Sequence, residues 1–222
     1  MKGYATEMPD DKNDQIFPLG GTGGPDEGPE PENLADLRKG VAAKPDDAEL
    51  RADLGRRYFR SLCRGRVSKD PKAREKRVGE LLELAGAFPD DETVRSLAAM
   101  GLFNALVDSG AEKDVARRDN YLDQLRALRA EHPKDIAAGR HLAMALLNGC
   151  TWAREESDQA REDALLAEIR TVAADFSADN DVRWVLGNAL LSAAAAAEDA
   201  GDMDRQQTLF TEARNLAEQD AE

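Results

Sequence analysis

The sequence predicts an all-α protein assembled from repeated helical hairpins, and three observations carry that prediction. The stretch Ala87-Phe88-Pro89-Asp90-Asp91 returns 44 residues later as Glu131-His132-Pro133-Lys134-Asp135 and stands 44 residues earlier as Ala43-Lys44-Pro45-Asp46-Asp47. A worn copy occupies Asp175-Phe176-Ser177-Ala178-Asp179 in the same gap-free register. Between these marks, apolar residues recur at i, i+3, i+4 and i+7, the spacing of a helix with one buried face. The composition agrees: 41% hydrophobic, 33% charged and 5% aromatic suits a helical chain rather than a sheet.

Met1 to Glu32 comes first. It carries Asp, Glu, Pro and Gly, with 2 Lys against 8 acidic residues and no apolar periodicity, so it reads as a disordered acidic tail. Its one apolar cluster, Ile16-Phe17-Pro18-Leu19, could serve as a short docking motif. The run Gly20-Gly21-Thr22-Gly23-Gly24 is followed by Pro25, not by the Lys-Ser/Thr that a phosphate loop requires.

Residues 33–222 read as one helical-repeat domain. One second-helix column is Leu34, Val78, Leu122, Leu166 and Phe210, each 44 residues from the next. After each Pro-Asp-Asp a first helix begins, because proline ends the preceding helix and the Asp side chains accept from free N–H groups. Asp46 and Glu49 have capping-box spacing. Val94, Leu97, Ala98, Gly101, Leu102, Ala105 and Leu106 form the buried face of one first helix. Turns between the two helices of a hairpin are expected at Arg64-Gly65-Arg66, Asp108-Ser109-Gly110 and Ala200-Gly201-Asp202, and near Glu155-Glu156-Ser157-Asp158.

Leu54-Gly55-Arg56-Arg57-Tyr58 and Trp184-Val185-Leu186-Gly187-Asn188-Ala189-Leu190, with the terminal Pro-Asp-Asp, resemble the tetratricopeptide repeat (TPR). The period here is 44 residues against the usual 34, and the middle copies have Ala98-Ala99 and Leu142-Ala143 in place of Leu-Gly. The resemblance implies a right-handed α-solenoid of antiparallel helical hairpins, with first helices lining a concave groove for a peptide or protein partner. In that register the groove columns hold Arg56, Arg60, Met100, Asn104, Arg140, Met144, Asn148, Trp184 and Asn188. Thioethers give an adaptable apolar floor, and carboxamides can bond a peptide backbone.

From Arg51 to Arg77 eleven basic residues face three acids, in a chain of net charge −14. Arg57, Arg64, Arg66, Lys69, Lys72, Arg74, Lys76 and Arg77 form the core of this patch, and a nucleic-acid partner there is the alternative reading. The acidic tail is expected to screen it.

No catalytic constellation is visible. His132 shares a column with Phe88 and Phe176, and His141 with Leu97 and Val185, so both read as packing residues. No Cys/His set has metal spacing, and no cofactor is expected. Cys63 and Cys150 lie almost two repeats apart, beyond disulfide reach, so both are expected reduced and the chain cytoplasmic. No apolar run reaches the ~18 residues of a membrane span.

Overall fold

The computed structural model describes residues 34–64 and 69–219. The tail and Ile16–Leu19 fall outside the described residues, as do Gly65 and Arg66 of the expected first turn. Among the described residues there are nine helices: α1 (Leu34–Ala43), α2 (Ala48–Cys63), α3 (Pro71–Ala87), α4 (Glu92–Ala111), α5 (Val115–Glu131), α6 (Ile136–Glu155), α7 (Gln159–Asp175), α8 (Asn180–Asp199) and α9 (Met203–Gln219). The starts of α2, α4, α6 and α8 are 44 residues apart, as are both ends of α3, α5, α7 and α9. The recurrence seen in the sequence is therefore a recurrence of helices.

Eight aspartates start these helices. Asp47, Asp91, Asp135 and Asp179 each accept from the backbone N–H three residues on, at 3.1–3.2 Å, and open α2, α4, α6 and α8. Asp70, Asp114, Asp158 and Asp202 do the same for α3, α5, α7 and α9. Each satisfies an N–H that the helix itself cannot. The expected capping box at Asp46 and Glu49 does not form, because Asp47 is the cap.

The chain turns back at Lys113, Ser157 and Gly201, all with positive φ (58°, 57° and 76°) and all 44 residues apart. The turn near Glu155–Asp158 is thus where the sequence put it, and so is Ala200-Gly201-Asp202. The turn expected at Asp108-Ser109-Gly110 is not there: α4 runs on to Ala111. Gly110 serves packing instead, since a Cβ on it would stand 2.1 Å from the Trp152 ring.

Consecutive helices pack against each other, and α2, α4, α6 and α8 also pack in series. α3, α5 and α7 therefore each lie against the first helices on both sides of them. Leu62, Leu81, Leu102, Leu106, Leu125, Leu146, Ile169 and Leu190 fill the seams, all essentially inaccessible. Val78, Leu122 and Leu166 of the second-helix column are buried, but Phe210 is 55% exposed. That column meets the next hairpin, and no hairpin follows α9 among the described residues.

Ion pairs repeat along the stack too. Arg38–Glu80, Arg126–Glu168 and Arg170–Glu212, at 2.5–2.7 Å, all span 42 residues. The missing rung joins Leu82 to Gln124 in the same register, so where the arginine is absent the acid is absent too. Arg51–Asp91 and Arg95–Asp135 tie each first helix to the cap of the next at 2.7 Å. In the third hairpin that position is Gly139, with the Phe176 ring seated where its side chain would be, and Arg140 reaches Asp179 instead.

Candidate binding surface on the first helices

α2, α4, α6 and α8 pack side by side, and the partly exposed side chains of each fall in columns that the repeat register aligns as a strip. A first helix has neighbours on most sides, so this strip is narrow. On α4 it holds Ser96, Met100 and Asn104, and on α6 Arg140, Met144 and Thr151. On α8 it holds Trp184, Asn188 and Ser192, and on α2 Arg56 and Arg60.

The side chains along it are unequally committed. Trp184 is 50% exposed, whereas Met144 lies partly against the core. Arg56 bonds Glu49 at 2.6 Å and nears Asp53 at 4.0 Å, and Arg60 is exposed at the end of α2. Asn104 donates to Cys63 Sγ at 3.4 Å, linking α4 to α2. Asn188 donates to the Trp184 carbonyl at 2.9 Å, one turn back in its own helix. Arg140 bonds Asp179 at 2.7 Å and Asp181 at 3.0 Å. The hydrogen bond to Arg140 holds the Asp179 carboxyl below the usual range. Asn148 differs from the rest. It is 1% exposed, and neither amide atom has a hydrogen-bond partner among the described residues. An unmet buried polar group costs about 1–3 kcal/mol.

Two charges of the basic segment are turned into the fold. Arg74 is fully buried and bonds Glu112 at 2.5 Å, Asp108 at 3.3 Å and the Ser109 hydroxyl at 3.4 Å. Arg77 is buried, bonds Glu80 at 2.6 Å and stacks on Tyr58 with its guanidinium 5.3 Å from the ring centre. Arg57 is half-buried, while Arg64, Lys69, Lys72 and Lys76 are exposed. Arg66 lies outside the described residues.

The sequence reading missed this use of buried arginine, although the 44-residue recurrence of Arg74 as Arg118 signalled it. Arg118 repeats the arrangement, bonding Glu156 at 3.0 Å and lying 5.0 Å from the Trp152 ring centre. These pairs fasten the turn after a first helix to the second helix of the hairpin before it.

His141 is buried, with Nδ1 2.7 Å from the Ala137 carbonyl and its ring edge-on to Phe103. His132 is half-buried at the C-cap of α5. Cys63 is exposed and Cys150 buried, both as free thiols, and burial pushes Cys150 up to about 12. Among the described residues no group of three His, Cys, Asp or Glu could hold a metal ion, and no helix is long and apolar enough to cross a membrane. Comparison with protein-family models, with characterised proteins and with solved structures finds no significant match to this chain.

Proposed function

We propose that the helices form a right-handed, TPR-like α-solenoid and that the chain is a non-catalytic interaction scaffold. It takes a peptide or protein partner along the strip that crosses α2, α4, α6 and α8. One observation carries the reading: the first helices pack in series, and each keeps partly exposed side chains in matching columns, a strip interrupted on α6 by the buried Asn148. That strip mixes thioether, indole, carboxamide and guanidinium groups in place of a reacting set. Such a strip offers apolar contact from Met100, Met144 and Trp184, with polar groups beside it to fix register. Arg56 and Arg60 at its α2 end favour a partner with acidic residues at one end. The nucleic-acid alternative has no comparable support, because Arg74 and Arg77 spend their charges inside the fold.

A random-peptide phage library panned on the folded chain tests this. Enriched peptides should bind wild type and lose at least tenfold in affinity on Trp184→Ala and on Met100→Gln. They should bind Lys76→Glu, altered on a second helix, unchanged. No enrichment, or enriched peptides indifferent to both strip variants, would overturn the proposal.

A further inference from the structure

The contact between successive hairpins is built from the same columns three times, 44 residues apart. Between the first and second hairpins, Arg74 meets the side chains of Asp108 and Glu112. Between the second and third, the same columns hold Arg118, Trp152 and Glu156. The Trp152 ring lies against Gly110, with the Arg118 guanidinium 5.0 Å from its centre, and Arg118 bonds Glu156 at 3.0 Å. Between the third and fourth, the columns hold Glu162, Ala196 and Ala200, and Arg154 stands in the column of Gly110.

The two alanines leave space that bulky side chains fill in the earlier contacts. A pocket of about 230 Å³ lies there, and Arg154, Glu162, Ala196 and Ala200 all line it. Ala193 and Ala197 extend its apolar surface, and Arg205 from the start of α9 lines it as well. Residues of α6, α7, α8 and α9 thus wall it, so it is a cleft within the stack and not an end face. Its charges are already paired. Glu162, 4% exposed, accepts from Arg154 at 2.9 Å and from Arg205 at 3.4 Å, and Arg205 also pairs with Asp163 at 2.7 Å. What a paired guanidinium still offers is its planar face, which attracts an electron-rich ring. The volume is below the roughly 300–1,000 Å³ of sites for drug-sized ligands, so it suits a single ring system.

We propose that this pocket binds one indole-sized, electron-rich aromatic ring, seated on the α8 alanines against Arg154 as the Trp152 ring is seated against Arg118 one repeat earlier.

Titration calorimetry of the full chain with indole should show saturable one-to-one binding. Ala196→Trp supplies the ring from the chain itself, so it should abolish that binding and leave the thermal midpoint at or above the wild-type value. Ala200→Phe changes an exposed residue at the rim, leaves the buried alanines in place, and should weaken indole binding at least tenfold. Met100→Gln, on the first-helix strip, should bind indole as wild type does, which separates this pocket from the peptide surface. N-acetyltryptophanamide carries the same ring on a peptide unit. Binding like that of indole assigns the pocket to a partner's tryptophan side chain, and exclusion assigns it to a free ring compound. No saturable binding up to the solubility of indole overturns the proposal. So does binding that survives in folded Ala196→Trp or in Ala200→Phe, or binding that is lost in Met100→Gln.

Discussion

At the scale of single residues, the structure turns on polar groups placed inside an apolar stack. His141 occupies a column that holds Leu97 and Val185 elsewhere, and burial lowers its affinity for a proton. The unfolded chain takes that proton near the ordinary histidine value, about 6.5, while the folded chain resists it. The stability that His141 gives is therefore complete above that pH and is lost as pH falls through it. Urea midpoints near pH 7.5 and about pH 5 should show this fall. His141→Leu should remove the part of it above the carboxylate range, and an unchanged slope would show that His141 does not titrate against folding. The thiols differ in the same way: a maleimide should label Cys63 in the native chain and spare Cys150 until denaturant is added. The sequence identified His141 as a packing residue because its column told what surrounds it. It did not identify Arg74 as buried. A run of eleven basic residues looks like a surface patch, and only the fold brings Glu112 and Asp108 to the guanidinium.

At the scale of elements, helix starts were easier to read than helix ends. An aspartate closes each of the four recurring marks, three of which hold a proline, and that aspartate is the cap of the first helix that follows. The ends are set by a left-handed residue, and glycine fills that role only at Gly201, with Lys113 and Ser157 in the other described turns. Gly110 therefore drew the expected turn to the wrong place, although its use is to seat Trp152. Holding an L-residue at positive φ costs about 1–2 kcal/mol, so Ser157→Gly should stabilise the protein by roughly 1 kcal/mol, read from the urea midpoint. Loss of stability would mean that the Ser157 side chain holds the turn in a way its backbone does not reveal. Asp135→Ala removes both the α6 cap and the partner of Arg95, and should cost about 2 kcal/mol or more. Asp90→Ala, one residue before a cap and exposed, should cost within about 0.5 kcal/mol.

At the scale of the whole molecule, the chain is a ladder whose rungs recur in one register. The vacant rung at Leu82 and Gln124 can be restored: Leu82→Arg with Gln124→Glu should show a favourable coupling of about 0.5 kcal/mol in a double-mutant cycle, typical of a partly exposed pair. The 44-residue period was legible because columns of apolar residues and caps recur without a gap. The partner of the first-helix strip was not, because the strip varies between copies and its chemistry depends on what binds. If the hairpin is the unit of construction, one unit is removable. Deleting residues 92–135 joins Asp91 to Ile136, leaving Asp91 to cap the next helix, Arg51 to bond it, and Arg74 opposite Glu156 in place of Glu112. Circular dichroism and urea unfolding of this deletion, beside a deletion of residues 92–113 that removes α4 alone and leaves the second helix α3 running into the second helix α5, test the repeat architecture most directly. The first deletion should give a helical, cooperatively unfolding chain, and the second a loose chain without a sharp transition. Equal behaviour of the two, whether both fold or neither does, would contradict that architecture.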